Sequence, residues 1–246
     1  MSFFKGRRRR LAVSLSIFLV LAITVAACAI YLGGYYRADG DAIAAFMTNG
    51  CEWREDGNEN IVFEPEDATR GFILYPGGKV DHAAYIPLMQ ALAEEGILCV
   101  IAKMPFHLAV LDMNAAEGIR ESYPEIEEWY IGGHSLGGAM AASYVAGHTD
   151  EYAGLVLLGA YSTADLSDTS LEVLSVYGSE DRVMNREKYD ECFKNLPDGA
   201  TETVIDGGCH AYFGMYGAQD GDGAPSITAS EQIAKTADAI LDMMTD

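Results

Sequence analysis

The sequence predicts an α/β fold: a mostly parallel central sheet with helices on both faces, preceded by one N-terminal transmembrane helix. Three observations lead there. From Gly71 onward, short apolar runs alternate with helix-patterned segments. A glycine-flanked serine, Gly133-His134-Ser135-Leu136-Gly137, sits between one such run and one such segment. A charge-free apolar stretch, Leu11 to Leu32, lies behind Lys5 and Arg7, Arg8, Arg9 and Arg10. Fully apolar strands alternating with helices imply parallel pairing with both faces covered. In such sheets ligands bind beyond the carboxyl ends of the strands, so chemistry is sought there.

The elements follow in order. The Leu11–Leu32 stretch fits a helix crossing roughly 30 Å of hydrocarbon, and the basic residues before it keep that end in the cytoplasm. The expected organisation is a basic cytoplasmic segment 1–10, an anchor 11–32 and a domain 33–246 on the extracytoplasmic side of the cell membrane. Two other readings stay open: a cleaved signal peptide, and a lipoprotein processed at Cys28 in "VAAC". "DGDAIAAFMTNG" reads as a short helix ending at Gly50, and "CEWRED" with "NIVFEP" as a hairpin. "GFILYP", "ILCVIAK", "EEWYIGG", "GLVLLGA", "LEVLSVYG" and "TETVID" read as strands. "AAYIPLMQALAEEG", "LAVLDMNAAEGIRESYP", "SLGGAMAASYVAGH", "REKYDECFKNLP" and "SEQIAKTADAILDMM" read as helices.

Composition limits the function. The 246 residues, 50% hydrophobic, suit one sizeable globular domain. Net charge is −21, and beyond Tyr36 eleven basic residues face 37 acidic ones, about −26. Such a surface argues against nucleic acid or anionic lipid as a partner. The five cysteines show no metal-ligand spacing. Cys28 and Cys99 read as buried thiols, and a disulfide among Cys51, Cys192 and Cys209 stays open. No metal or cofactor is expected.

The serine motif has a mechanical logic. A serine on a strained strand-to-helix turn projects its oxygen above the sheet, and flanking glycines let neighbouring backbone approach. The helix start offers free N–H groups to a developing oxyanion, here the amide of Leu136. The serine needs a base and an orienter. After "LEVLSVYG", "SEDRV" offers Asp181 with Glu180 as alternative; after "TETVID", "GGCHAYFG" offers His210. Asp206 fits less well because it lies at the last strand. A second oxyanion amide is expected from "GGKVDH", at Gly78 or, next, Lys79. His82, His107, His134 and His148 read as solvated or packing histidines, with His107 near the pocket.

Together "YPGGKVDHAAYIPL", "KMPFHLAVL", "WYIGGHSLGGAMAA", "GLVLLGAYS", "VYGSEDRV" and "GGCHAYFGMYGAQDGDG" resemble the alpha/beta-hydrolase superfamily. The resemblance spans about Gly71 to Gly223 and is nearest to a membrane-anchored bacterial branch related to dienelactone hydrolases and small carboxylesterases. It implies Ser135 as nucleophile, Asp181 as acid and His210 as base, and a small-molecule acyl substrate. Dienelactone hydrolases proper carry cysteine where this chain has Ser135, so lactone specificity does not transfer. Only "YSTADLSDTS" lies where lipases often insert a lid, which suggests an open or shallow site and disfavours long-chain lipids at an interface. The expected activity is ester hydrolysis; acyl transfer by the same residues, or a non-catalytic binding module on the same fold, are the alternatives.

Overall fold

The structure is a computed structural model that describes residues 2–46 and 52–245. The chain forms two compact units, Met1–Tyr35 and Tyr36–Asp246. The first is the helix α1, Ser2–Gly33, whose stretch Val13–Gly33 is long and apolar enough to cross a membrane.

The second unit is built on eight strands: β1 (Trp53–Glu55), β2 (Ile61–Phe63), β3 (Arg70–Tyr75), β4 (Ile97–Ile101), β5 (Glu128–His134), β6 (Gly154–Leu158), β7 (Glu172–Gly178) and β8 (Thr201–Ile205). They pair in the order β1-β2-β4-β3-β5-β6-β7-β8. β1–β2 and β2–β4 are antiparallel; every other pair is parallel. The carboxyl ends of β3 to β8 therefore share one edge.

Side chains alternate across the strands and feed two cores. On one face Phe72 and Leu74 of β3 join Leu88, Met89 and Leu92 of α3 (Ile86–Glu94) and Ile233, Ala237, Ile240 and Met244 of the C-terminal helix Ala229–Thr245. On the other face Ile73, Tyr75, Ile131 and Leu157 pack with Ala141, Ala142 and Val145 of the helix Leu136–Val145. In chain order the helices of this unit are α2 (Gly40–Phe46), α3, α4 (Leu136–Val145), α5 (Arg186–Cys192) and α6 (Ala229–Thr245). The spacing of apolar residues in α6 puts its buried positions on one stripe.

The hairpin, the strands and most helices lie where expected; the end expected at Gly50 falls outside the described residues. One helix does not form. "LAVLDMNAAEGIRESYP" folds instead as turns with short 3₁₀ pieces at Ala109–Leu111 and Arg120–Ser122. The reason is a side chain from the sheet. The Tyr75 hydroxyl donates to the Met113 carbonyl (2.8 Å) and accepts from the Ala116 amide (2.8 Å), so it takes up backbone groups a helix would pair internally. Gly118, at φ +80°, breaks the path again. The cysteines meet the expectation in part: Cys99 is buried, as expected. Cys28 is exposed on α1, and Cys192 and Cys209 are free, so they form no disulfide; Cys51 lies outside the described residues.

Candidate active site

Ser135 sits between β5 and α4 with φ 52° and ψ −120°. That backbone is costly for a residue with a Cβ and persists only where the surroundings dictate it. Here they do. The Ser135 amide donates to the Leu158 carbonyl (2.9 Å), and its carbonyl accepts from Ala139 (3.1 Å). The flanking glycines are steric requirements: a Cβ on Gly133 would lie 2.5 Å from the Gly137 carbonyl carbon, and one on Gly137 would lie 2.2 Å from the Tyr75 oxygen. The Ser135 side chain is left half-buried at the sheet edge.

Asp181 follows β7, and His210 follows β8. The Asp181 Oδ2 lies 2.7 Å from His210 Nδ1, and each side chain is only 1% exposed. Asp181 Oδ1 accepts from the amides of Val183 and Met184, both at 2.9 Å, which fixes the carboxylate. An ionised carboxylate only accepts, so the histidine proton resides on Nδ1 and Nε2 keeps its lone pair. That Nε2 is buried without a hydrogen-bond partner. The runner-up Glu180 points elsewhere, beside Ser179 and Arg182. Asp206 is exposed.

The loop holding His210 is clamped by groups that sequence reasoning missed. The Gln232 side chain accepts from the Cys209 amide (2.9 Å) and donates to the Cys209 carbonyl (2.8 Å). Asp222 accepts from the amides of His210 (3.2 Å), Ala211 (2.8 Å) and Gly223 (2.8 Å). Burial pushes the Asp222 carboxyl up, but the amides of Ala211, Gly223 and His210 outweigh it and hold it below its ordinary value. Burial beside Asp222 raises the Cys209 thiol to about 12, so it stays protonated. Gly159, at φ +52°, leaves room for the pair: a Cβ there would lie 3.0 Å from His210 Nδ1.

The loop after β3 approaches the serine turn. Its Gly77 amide donates to the Tyr85 hydroxyl (2.9 Å), and its Lys79 amide donates to the His107 carbonyl (2.7 Å). Lys79 is thereby removed as an oxyanion donor. Among the described residues, the amides of Gly78 and of Leu136, the first residue of α4, are left unbonded. A Cβ on Gly78 would stand 3.0 Å from Leu136 Cδ2, so the two amides belong to adjoining residues.

His134 is a packing histidine with a specific contact. Its ring centroid lies 4.6 Å from that of His210 and 5.4 Å from that of Phe213. The Tyr85 hydroxyl, which accepts from the Gly77 amide, is also hydrogen-bonded to His134 Nδ1 at 2.8 Å. Burial first, and then the neighbouring His210, hold the His134 pKa well below 6.5. His82 is also buried, with Asp81 at 3.3 Å; hydrogen bonding to His82 is the main cause that brings the Asp81 carboxyl down to about 2. His107 is held below its ordinary value by burial. His148 stacks on Tyr144 at 4.2 Å.

A surface cavity of about 850 Å³ opens beyond the carboxyl end of β4, by Asn60, Lys103, Phe106 and Asp112. Another of about 770 Å³ opens at the opposite edge of the sheet, by Trp53, Thr69, Leu98 and Glu125. Among the described residues no group of three His, Cys, Asp or Glu side chains is arranged to hold a metal ion.

Comparison with known proteins agrees with this architecture. The profile described as "Alpha/beta hydrolase family" matches residues 71–234. No curated protein matches the chain. Among solved structures, Est1E from Butyrivibrio proteoclasticus is similar at TM-score 0.59 and 14% identity, covering 80% of this chain and 100% of its own. A predicted CIB-like hydrolase from Thermoplasma acidophilum is similar at TM-score 0.57 and 17% identity, with 78% and 100% covered. TT1662 from Thermus thermophilus follows at TM-score 0.54 and 12% identity, with 79% and 99% covered. At these identities the structures speak to the fold, and the profile covers most of the chain: the protein belongs to the alpha/beta hydrolase family.

Proposed function

We propose that this protein is a serine hydrolase that cleaves esters or related acyl compounds through an acyl-enzyme. The observation that carries the reading is the His210–Asp181 pair, with its unpartnered Nε2, on the same sheet edge as the strained Ser135 turn. In the proposed reaction His210 Nε2 takes the Ser135 hydroxyl proton as Oγ attacks the acyl carbon. The Leu136 and Gly78 amides hold the oxyanion. The tetrahedral intermediate collapses, and the new imidazolium gives its proton to the departing alcohol. Water, deprotonated by His210, then attacks the acyl-enzyme and releases the acid. Asp181 keeps the imidazole in the required tautomer and stabilises its charged form.

The apolar stretch of α1 supports an anchored form, with residues 1–10 cytoplasmic, 11–32 in the membrane and 33–246 as the extracytoplasmic catalytic domain. Labelling with a fluorophosphonate tests the catalytic reading. The native chain should be labelled and Ser135→Ala should not; labelling that survives the substitution removes Ser135 as nucleophile.

A further inference from the structure

We infer that the sheet edge carrying Ser135 docks onto the lipid bilayer, with Phe106, Val110 and Leu111 dipping into the headgroup region. The inference rests on the proposed anchoring by α1.

Exposed apolar surface is concentrated in one place. Within residues 36–246 the exposed large apolar side chains among the described residues are Trp53, Phe106, Val110, Leu111, Met113 and Val204. Four of these six fall within eight residues. Exposure clustered in one segment in this way points to a contact surface more than single scattered residues do. The segment follows the carboxyl end of β4, so it lies on the edge of the Ser135 turn. It is also joined to the loop beside Gly78, through the Lys79 amide and the His107 carbonyl.

The exposure is built in. Phe106 and His107 are consecutive left-handed residues, φ 51° and 58°. Each such residue costs roughly 1–2 kcal/mol, and strain of this kind accompanies function. It is held by the His107 amide on the Met104 carbonyl and the Leu108 amide on the Pro105 carbonyl, both at 3.0 Å. With these bonds in place the Phe106 ring stands 59% exposed. Nearby, the Tyr75 hydroxyl pins Met113. The surface is presented on a fixed frame.

The covalent path leads to the same place. Tyr36 donates its amide to the Lys79 carbonyl (2.7 Å), and its carbonyl accepts from the Asp81 amide (2.9 Å). The chain therefore enters the domain at the loop beside Gly78. Only Gly34 and Tyr35 separate Gly33, the last residue of α1, from Tyr36. Three residue steps span at most about 10 Å. The proposed anchor is therefore joined to the domain at this loop by a short covalent link. Tethering also removes the need for a strong surface, because the effective concentration of the domain at the membrane is already high. That matters for a domain of about −26 charges, which gains nothing from anionic headgroups.

The full chain carrying Phe106→Trp or Leu111→Trp, reconstituted in phosphatidylcholine vesicles, tests this with phosphatidylcholines brominated at shallow or deep acyl positions. An interfacial side chain sits about 5–10 Å into the headgroup boundary, so the introduced indole should lose emission, more with shallow bromines. The unsubstituted chain supplies the baseline, since Trp53 lies at the opposite edge and Trp129 is buried. A chain that floats with the vesicles after alkaline washing, yet whose introduced indoles are not quenched, keeps its anchor and overturns the docking. A blue shift that depends on protein density without quenching assigns the patch to a second copy and overturns it too. A chain that the wash strips from the vesicles removes the anchor and the docking with it.

Discussion

The imidazole ring of His134 lies 4.6 Å from that of His210, and both are buried. They divide the work by their partners. His210 has the Asp181 carboxylate on Nδ1. His134 has only the Tyr85 hydroxyl on Nδ1, is buried without a counter-charge, and stays neutral. Two charged rings at this distance would repel, so a neutral His134 favours the proposed role of His210 as proton acceptor.

Acid should destabilise the domain through His134. An unfolded histidine takes up a proton near about pH 6.5, whereas folded His134 resists protonation until well below 6.5. Its contribution is therefore intact above the unfolded value and is lost as pH falls towards the folded one. The slope is at most about 1.4 kcal/mol per pH unit for a single group. Denaturant midpoints between about pH 7 and about pH 5 should fall less steeply for His134→Gln than for the native chain. Equal slopes would assign the acid loss to other groups.

Asp181→Asn should lower kcat by roughly ten-thousandfold, because an amide in this position favours the wrong histidine tautomer. Glu180→Gln should stay close to native, since Glu180 contacts Ser179 and Arg182 instead of His210. Steady-state kinetics on a soluble ester reads both. The reverse ranking would move the orienting role to Glu180.

Gly159→Ala should cut turnover more than it cuts stability. The backbone there is left-handed, which costs an alanine about 1–2 kcal/mol, and the new methyl would stand 3.0 Å from His210 Nδ1 and 3.2 Å from Asp181 Oδ2. Gly96→Ala is the matched control, since Gly96 is also left-handed, at φ +82°, and nothing lies within 4 Å of its added carbon. Probe-labelling rates and melting temperatures for the two variants check the claim. Native labelling by Gly159→Ala would show that the pair tolerates displacement.

Protease added to spheroplasts should digest the domain and leave a short membrane-bound stub. Protection until the membrane is broken would reverse the orientation, and a domain found free in the medium would mean cleavage. Metabolic lipid labelling of Cys28 would replace the spanning helix with an acyl tether.

Much of the fold was legible because it rests on periodicity. Five of the six parallel strands are mainly apolar, with the Thr-Glu-Thr-Val-Ile of β8 the exception, and α3 and α6 carry apolar stripes. The 108–124 segment failed that test because its conformation is decided by Tyr75, a residue far away in sequence whose hydroxyl competes for its backbone. In the candidate site, Ser135, Asp181 and His210 stood out by their order and by following strand ends. Choosing between Asp181 and Glu180 needed the amides of Val183 and Met184, which no spacing reveals. Tyr85, Asp222 and Gln232 act through backbone groups. In the sequence they look like a core aromatic, a loop acid and a polar position on an amphipathic helix.

The Tyr75 hydroxyl bridge has a dynamic consequence. The Ala116 amide is shielded by one side-chain oxygen instead of by a ladder of neighbours. Its exchange with deuterated solvent then tracks release of that single hydroxyl, an opening local to the 104–123 connection and far easier than global unfolding. The clock of one amide would report how often the stretch bearing Phe106 lifts off the sheet while the rest of the domain stays closed.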